Sequence, residues 1–434
     1  MQFTKLYISA LFGIYDYEID FFSDSDNRIT ILTGPNGYGK TTILRILSNL
    51  TPENLFYFYT IKFKSIRIEI SDKSSIVITQ TISEDNETQS EKDSKRAIIK
   101  EVRFDWFSCN RELICSFVYN PTIVRKAINY TKYKTLSFYN TTVEDESGLQ
   151  RILLNNKTFN ETVSQAQGQG LFIMLLEGIS TKFIHANRIY NEANQKNEEL
   201  PIQKIRHSLQ KKLKDAYNEF LESSQRIDNK FINKAIVPQT EIVSKEQYEK
   251  LASNVKKQLD ELFEYRLSSM VEIPVYKEAN SSILYAYLTS LKEKYDKYGN
   301  LPQKLRLFND LLKEKKFANK SISFSPQHGF RIEASNGDVL EEDSLSSGEQ
   351  NEIIMLYELI FNVSDNSVLL IDEPENSLHT AWQKMFWQNT QQISKTKNLQ
   401  VIIATHSFSI VSSGSDYAID LYYLKKYSHE KHGY

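Results

Sequence analysis

Residues 33–42 read TGPNGYGKTT, and no other stretch restricts the chain so tightly. Gly34 and Gly39 bracket four residues, and Lys40 and Thr41 follow, which matches the spacing G-x-x-x-x-G-K-[ST]. Glycines tolerate positive φ, so such a loop can curl with successive backbone N–H groups turned inward around an anion. RITIL leads in with β character, and TTILRILSNL leads out with helical spacing. Strand, glycine loop and helix in that order place the positive end of the helix dipole behind the same anion. Lys40 is then expected to reach the β- and γ-phosphates of a nucleotide, and the Thr41 hydroxyl to ligate Mg²⁺.

Three later segments suit the same chemistry. Val368 to Ile371 are four apolar residues followed by Asp372 and Glu373, the pattern of a buried strand that ends in two carboxylates. Ligands of open parallel sheets sit at such strand ends. Asp372 is expected to hold Mg²⁺ and Glu373 to polarise the attacking water. Leu345–Gln350 read LSSGEQ at a helix start, where Ser346, Ser347 and Gly348 offer N–H groups and hydroxyls to an anion, although serine also suits a simple helix cap. A last apolar strand, VIIATHS, ends in Thr405, His406 and Ser407, and His406 could donate to a γ-phosphate.

Between these motifs the chain changes character. QFTKLYIS, YDYEIDF, KSIRIEI, SSIVITQ and KRAIIKEVRF read as strands, with a polar surface loop over 83–95. Residues 202–221 and 248–267 carry one-sided apolar stripes of amphipathic helices, separated by Pro238, and two shorter helices follow near 281–297 and 302–316. At this length the helices form a compact lobe. SISFS and FRIEA flank PQHG as a hairpin. The expected organisation is therefore an α/β nucleotide-binding core in two parts, 1–189 and 321–434, interrupted by a helical insertion over 190–320.

The four motifs, in this order and around an insertion, resemble those of the ABC-type ATPases of the SMC/RecF/OLD branch. TGPNGYGKTT is similar to Walker A, LSSGEQ to the signature motif, LLIDEPENSLH to Walker B with its D-loop, and IIATHS to the switch histidine. FIHANR (183–188) is similar to the strand that precedes the helical insertion in OLD-like members. The resemblance implies a P-loop ABC-type fold with mixed sheets, with ATP and Mg²⁺ as cofactors. It implies that Gly34, Asn36, Gly37, Gly39, Lys40, Thr41 and Thr42 hold nucleotide and that Thr41 and Asp372 hold the metal. Glu373 and His406 would be catalytic. Ser346, Ser347 and Gly348 would cap the γ-phosphate of a second subunit in a head-to-head homodimer, with Asn376, Ser377 and Leu378 as the D-loop. Two points depart from the pattern: Ser347 stands where the signature usually has glycine, and the Q-loop glutamine is not placed, Gln80 and Gln89 both being candidates.

What the ATPase serves is less constrained. Two cysteines exclude a disulfide framework and point to a reducing cytosol, so a cytoplasmic location is expected. No apolar run is long enough for a membrane span. Only 28 residues follow His406, and the tail HEKHGY is not HExxH, so no nuclease domain is expected within the chain. Residues 201–320 hold 23 Lys and Arg against 16 Asp and Glu; the total of -2 then leaves nine net negative charges elsewhere. A basic helical lobe could contact DNA or an acidic partner. The short helical lobe resembles stand-alone ATPases of bacterial anti-phage systems such as PARIS and Septu, which implies higher oligomers and a separately encoded, nuclease-like effector. The alternative is a RecF/SMC-like DNA-binding ATPase of repair or recombination.

Overall fold

The computed structural model describes residues 1–21, 28–52, 54–83, 98–119, 170–185, 199–236, 243–314, 320–376 and 380–424. The polar stretch beyond Ser83, Gln89, Pro238, Ser377, Leu378 and the tail HEKHGY lie outside them. The chain divides into two units. One comprises Met1–Ala186, Val363–Asn376 and Gln383–Tyr434; the other comprises Asn187–Asn362 and Ser377–Trp382.

The first unit is α/β with two sheets. Strands β1 (Phe3–Leu11), β2 (Tyr15–Asp20), β4 (Ser65–Ile70), β5 (Ser75–Ser83), β6 (Ile98–Phe107) and β7 (Leu113–Tyr119) form an antiparallel sheet ordered β2-β1-β4-β5-β6-β7. Its strands alternate: in β4, Ile66, Ile68 and Ile70 are buried while Ser65, Arg67 and Glu69 lie between buried and exposed. That period-two pattern gives the sheet one apolar face. The second sheet is parallel, ordered β14-β3-β13-β12-β8, from β3 (Ile29–Thr33), β8 (Thr181–Ile184), β12 (Val368–Asp372), β13 (Gln400–Ala404) and β14 (Ala418–Asp420). Every residue of β12 and β13 is buried, as continuous apolar runs in a doubly covered parallel sheet must be. Helix α1 (Lys40–Ser48) packs on β8, β12 and β13, and Ile43, Leu44, Ile46 and Leu47 enter one apolar cluster with β1, β4 and β12. A helix over 170–177 adds Phe172 and Leu176 to that cluster. The wholly buried Gln400 ties the two sheets: its Oε1 accepts from Phe3 N at 2.8 Å and its Nε2 donates to Phe3 O at 2.6 Å.

Register decides where the motifs meet. Leu32 of β3 is level with Ala404 of β13, and Ala404 is level with Asp372 of β12. The glycine loop, the two acids and the Thr405–Ser407 turn therefore leave the sheet at the same edge, although more than 300 residues separate the loop from the other two in sequence.

The second unit holds α2 (Pro201–Ile236), α3 (Lys245–Glu264), α4 (Ser281–Tyr295), α5 (Leu301–Glu314) and α6 (Ser347–Tyr357), with a small antiparallel sheet ordered β11-β10-β9 from β9 (Lys320–Ser325), β10 (Gly329–Ala334) and β11 (Val339–Leu340). The hairpin expected around PQHG is present, with Gly329 paired to Ser325. Helix α2 runs 36 residues, well beyond the expected 202–221, and spans about 54 Å at 1.5 Å per residue. Ile202, Ile205, Leu209 and Leu213 are buried in its first half, but farther on only Ile227 among the residues whose burial is described. No glycine or proline interrupts 202–236, so the backbone hydrogen-bond ladder continues where the apolar stripe stops. Helix α6 is buried almost all round from Asn351 to Tyr357 and passes into a π-helical turn, Glu358–Asn362. Two helices complete the described fold, α7 (Thr380–Lys397) and the short α8 (Phe408–Ser413). Among the described residues no helix is long and apolar enough to cross a membrane.

Candidate functional site

The glycine loop joins the end of β3 to α1. Gly34, Gly37 and Gly39 have φ of 132°, 86° and 84°, a region that side chains rarely adopt, so the glycine spacing is a backbone requirement. At Gly39 a Cβ would also come within 3.0 Å of the Leu11 side chain. Gly39 is the N-cap of α1 and no side chain caps that helix. The N–H groups of Lys40, Thr41 and Thr42, its first turn, thus have no intrahelical acceptor. Asn36 and Gly37 are exposed at the loop tip.

Lys40 is buried, and its ammonium bends back to donate to Gly34 O at 2.8 Å and Pro35 O at 3.2 Å. Burial pushes its pKa below the usual lysine value, while the charges of Glu373, Asp372, Glu375 and Asp420 pull it back up. Thr41 Oγ1 donates to Asp372 Oδ1 at 3.0 Å, which joins the loop to the end of β12. The Asp372 carboxyl is raised above its ordinary value, chiefly by burial and further by the charge of Glu373; the Thr41 hydrogen bond acts in the opposite direction.

Glu373 follows with φ of 41°, a left-handed conformation that costs a non-glycine residue about 1–2 kcal/mol. Its N–H donates to Ala404 O at 2.8 Å, so the strained turn is anchored to β13. The carboxylate accepts from Asn376 Nδ2 at 3.2 Å and stands 3.9 Å from His406 Nε2. Strain held by its surroundings at one acidic residue is a mark of functional turns.

A third acid, Glu375, was not singled out by the sequence. Its Oε1 accepts from the N–H groups of His406 at 2.6 Å and Ser407 at 2.9 Å, and its Oε2 accepts from Thr405 Oγ1 at 2.7 Å. Glu375 thus clamps the turn that carries His406. The only sequence signal was a second glutamate in Asp-Glu-Pro-Glu. Replacing Glu375 with alanine is expected to lower ATP turnover about tenfold or more by loosening His406, with ATP affinity almost unchanged; steady-state kinetics decide it, and wild-type turnover would leave the clamp without a role.

Other residues were equally hidden. Asp420 at the end of β14 pairs in register with Thr33, and its Oδ1 lies 3.4 Å from where a Cβ on Gly34 would sit. Tyr15, Tyr17, Tyr38 and Tyr422 gather beside the loop: Tyr17 donates its hydroxyl to Tyr38 O at 2.7 Å, and the Tyr38 ring lies 5.4 Å from Tyr15 and 5.8 Å from Tyr422. In a chain with 25 tyrosines, no one of them stands out by sequence.

Of the two Q-loop candidates, the described residues include Gln80 alone. Gln80 is committed to a turn: its Oε1 accepts from Phe63 N at 3.0 Å, and its Nε2 donates to Phe58 O at 2.6 Å and Ile61 O at 2.8 Å. Gln89 lies outside the described residues.

The signature segment belongs to the helical unit. Ser346 caps α6 in a capping box: its hydroxyl accepts from Glu349 N at 3.3 Å and its N–H donates to Glu349 Oε2 at 2.8 Å. The cap is therefore real, and it engages the Ser346 N–H as well as its hydroxyl oxygen. Lys320 Nζ, 2.9 Å from the same carboxylate, holds Glu349 in place. Ser347 and Gly348 are the first helical residues, neither with positive φ, so serine in place of glycine brings no backbone strain. Ser346 and Ser347 are exposed.

The donor set suits a magnesium–nucleotide complex. A hydroxyl, a buried carboxylate whose charged form burial disfavours and a second acid beside it are hard oxygen ligands. Four carboxylates act on Lys40, so a divalent cation would offset the negative charge that a triphosphate meets here. Among the described residues no group of three or more His, Cys, Asp and Glu could hold a metal by itself. Mg²⁺ bound through one or two protein oxygens plus phosphate needs no such group.

The profile of the AAA ATPase domain family matches residues 1–411. The chain belongs to the AAA ATPase domain family. Members of that family bind ATP, usually with Mg²⁺, which agrees with the donor set. No curated protein matches the sequence of this AAA ATPase domain. Among solved structures it is similar to an SMC head domain from Thermotoga maritima, at 12% identity over 95% of this chain and 92% of that chain, TM-score 0.31. It is also similar to an Smc head domain with an extended coiled coil bound to the C-terminal domain of ScpA, from Pyrococcus furiosus, at 13% identity over 95% and 91%, TM-score 0.37. An SmcHead bound to the C-winged helix domain of ScpA matches at 12% identity over 95% and 92%, TM-score 0.34. Scores of that size carry neither function nor partner across to this AAA ATPase domain.

Proposed function

We propose that the chain is an ABC-type ATPase that couples ATP hydrolysis to closing and opening of a homodimer, and through it controls a separately encoded effector. The observation that carries the ATPase reading is the convergence of Lys40, Thr41, Asp372, Glu373 and His406 at one edge of the parallel sheet. Mg²⁺, when bound, supplies the positive charge that lets the triphosphate approach four carboxylates. Lys40 and the N–H groups of Gly34, Gly37, Gly39, Thr41 and Thr42 hold the phosphates, with Asn36 at the tip of the loop. Thr41 and Asp372 hold the cation. Glu373 orients a water and takes its proton, and His406, positioned by Glu375, donates toward the γ-phosphate.

The capped helix start at Ser346, Ser347 and Gly348 fits a role toward the nucleotide of a second subunit, since the capping box satisfies the N–H groups of Ser346 and Glu349 and leaves those of Ser347 and Gly348 without an intrahelical acceptor. ATP would then complete a site made by two chains, and hydrolysis would release it, which is a population shift driven by differential affinity. Higher oligomers, a nuclease-like effector and an anti-phage role in the cytoplasm follow from the resemblance to PARIS- and Septu-type ATPases. The second reading, a DNA-binding ATPase of repair or recombination, is favoured by Lys211, Lys212 and Lys214, all exposed on α2.

One experiment separates the two. The tagged protein is purified from its native host with neighbouring genes intact, and its companions are identified by mass spectrometry. A stoichiometric nuclease-like protein is expected. Nucleic acid without a protein partner, together with DNA-stimulated turnover that fades steeply with salt and is lost on reversing those three lysine charges, would replace the effector reading by the second one.

A further inference from the structure

The helical unit contains a cavity of its own, of about 170 Å³, where the β9–β10 turn sits on α2. Its charged lining is Arg206 from α2, His328 and Arg331 from the hairpin, and Glu341 and Glu342 from the segment before α6. The walls are brought together by a contact that only glycine allows. A Cβ on Gly329 would lie 2.2 Å from Arg206 O and 2.9 Å from Gln210 N, so the hairpin rests directly on the helix backbone. The Gln210 amide donates to Gln327 O across the same junction. This packing brings the hairpin that carries Arg331 onto the turn of α2 that carries Arg206.

The two arginines and two glutamates of this cavity balance in number, but among the described residues only Arg206 and Glu342 are paired with each other. Glu342, which is buried, pairs with Arg206 at 2.6 Å and with no other cation among the described residues. Arg331 makes no ion pair among the described residues, and its guanidinium contacts the Nε2 of His328. Partial burial first, then the positive charges of Arg331, Arg266 and Arg206, hold the His328 imidazole below its ordinary value. A guanidinium aimed at an imidazole lacks the acceptor that its planar fork is shaped for. Glu342 also opens the stretch leading to Leu345–Gln350, and Gln350 Nε2 donates to Glu342 O at 3.4 Å and Leu345 O at 3.1 Å. Whatever competes for Arg206 thus acts on a residue tied to the LSSGEQ turn.

We propose that this cavity binds a phosphate-class oxyanion, with Arg331 and Arg206 as guanidinium donors and His328 as a third donor. The volume suits a single phosphate group, free or at the end of a small ester, and not a duplex backbone. The site is independent of the glycine loop and of the reading given to it.

The test uses the full chain carrying Lys40→Ala, so that the glycine loop contributes as little as possible. Inorganic phosphate and AMP are titrated by calorimetry, and the His328 ring resonance, assigned with His328→Gln, is followed by NMR. Saturable phosphate binding is expected, with the His328 resonance moving in step and its pKa rising as the anion offsets the arginines. Adding Arg331→Gln is expected to weaken binding at least about tenfold. AMP binding as tightly as phosphate assigns the site to esters, and AMP excluded while phosphate binds assigns it to the free anion. The proposal is overturned if phosphate leaves the His328 resonance unmoved, or if Arg331→Gln in a folded protein binds phosphate as before. Residual binding at the glycine loop would show neither the His328 response nor the Arg331 dependence. If Arg331→Gln does not fold, the His328 response of the Lys40→Ala protein decides alone.

Discussion

Lys40→Ala is expected to lose ATP binding, with affinity falling by roughly a hundredfold or more, from about 3 kcal/mol for one charge-assisted contact to phosphate. The local charge makes the loss larger than the removal of one hydrogen bond. Lys40 is the cation set against Glu373, Asp372, Glu375 and Asp420, and without it the triphosphate meets four carboxylates with only the divalent ion between. Folding should suffer little. Lys40 Nζ, though buried, donates to two carbonyls of its own loop, Gly34 O and Pro35 O, while Ile43, Leu44, Ile46 and Leu47 keep α1 in the core. Titration of a fluorescent ATP analogue at fixed Mg²⁺, beside thermal unfolding of both proteins, gives the answer. Tight ATP binding by the folded variant would remove the phosphate-loop reading.

Glu373→Gln is expected to separate binding from turnover. Hydrolysis should fall by about 10²- to 10⁴-fold, the range for loss of a general base. ATP affinity should hold or rise a few-fold, because one of the carboxylates facing Lys40 is gone. Glutamine keeps the length and the acceptor for Asn376 Nδ2, so the turn is retained and the strain at φ of 41° is unchanged. The protein should then accumulate with ATP in the closed dimer, which size-exclusion chromatography with light scattering detects. Turnover at the wild-type rate would take Glu373 out of the reaction. Full loss of turnover without an ATP-dependent change in mass would keep the base and discard the dimer.

The two acids illustrate how one strand end provides two environments. Asp372 completes the buried β12 and answers to Thr41; Glu373, one residue on, has left the strand by a left-handed turn and faces Asn376 and His406. Their environments differ through backbone geometry, and adjacency in sequence does not make them interchangeable.

Much of this was written locally. Alternating runs gave β1, β2 and β4 to β6, and uninterrupted apolar runs gave β12 and β13, because strand burial follows period two or continuous hydrophobicity over a handful of residues. The glycine loop was legible because its φ values permit almost no other residue, and the cap at Ser346 because Ser-x-x-Glu closes on itself within one turn. Helix α2 exceeded its stripe because helix length follows the absence of breakers as well as amphipathicity.

The sequence by itself determined the α/β core with its glycine loop and marked Lys40, Thr41, Asp372, Glu373 and His406 as candidates, since each rests on a short motif with its own backbone logic. Only the tertiary structure decided what those residues meet. Glu375 as a clamp, Asp420 beside Gly34, Gln80 as the tie of a turn, and the Arg206–Arg331 cavity seated on Gly329 all join positions far apart in the chain. Such pairings depend on sheet register and on the close approach of backbones, and neither leaves a periodic trace in the order of residues.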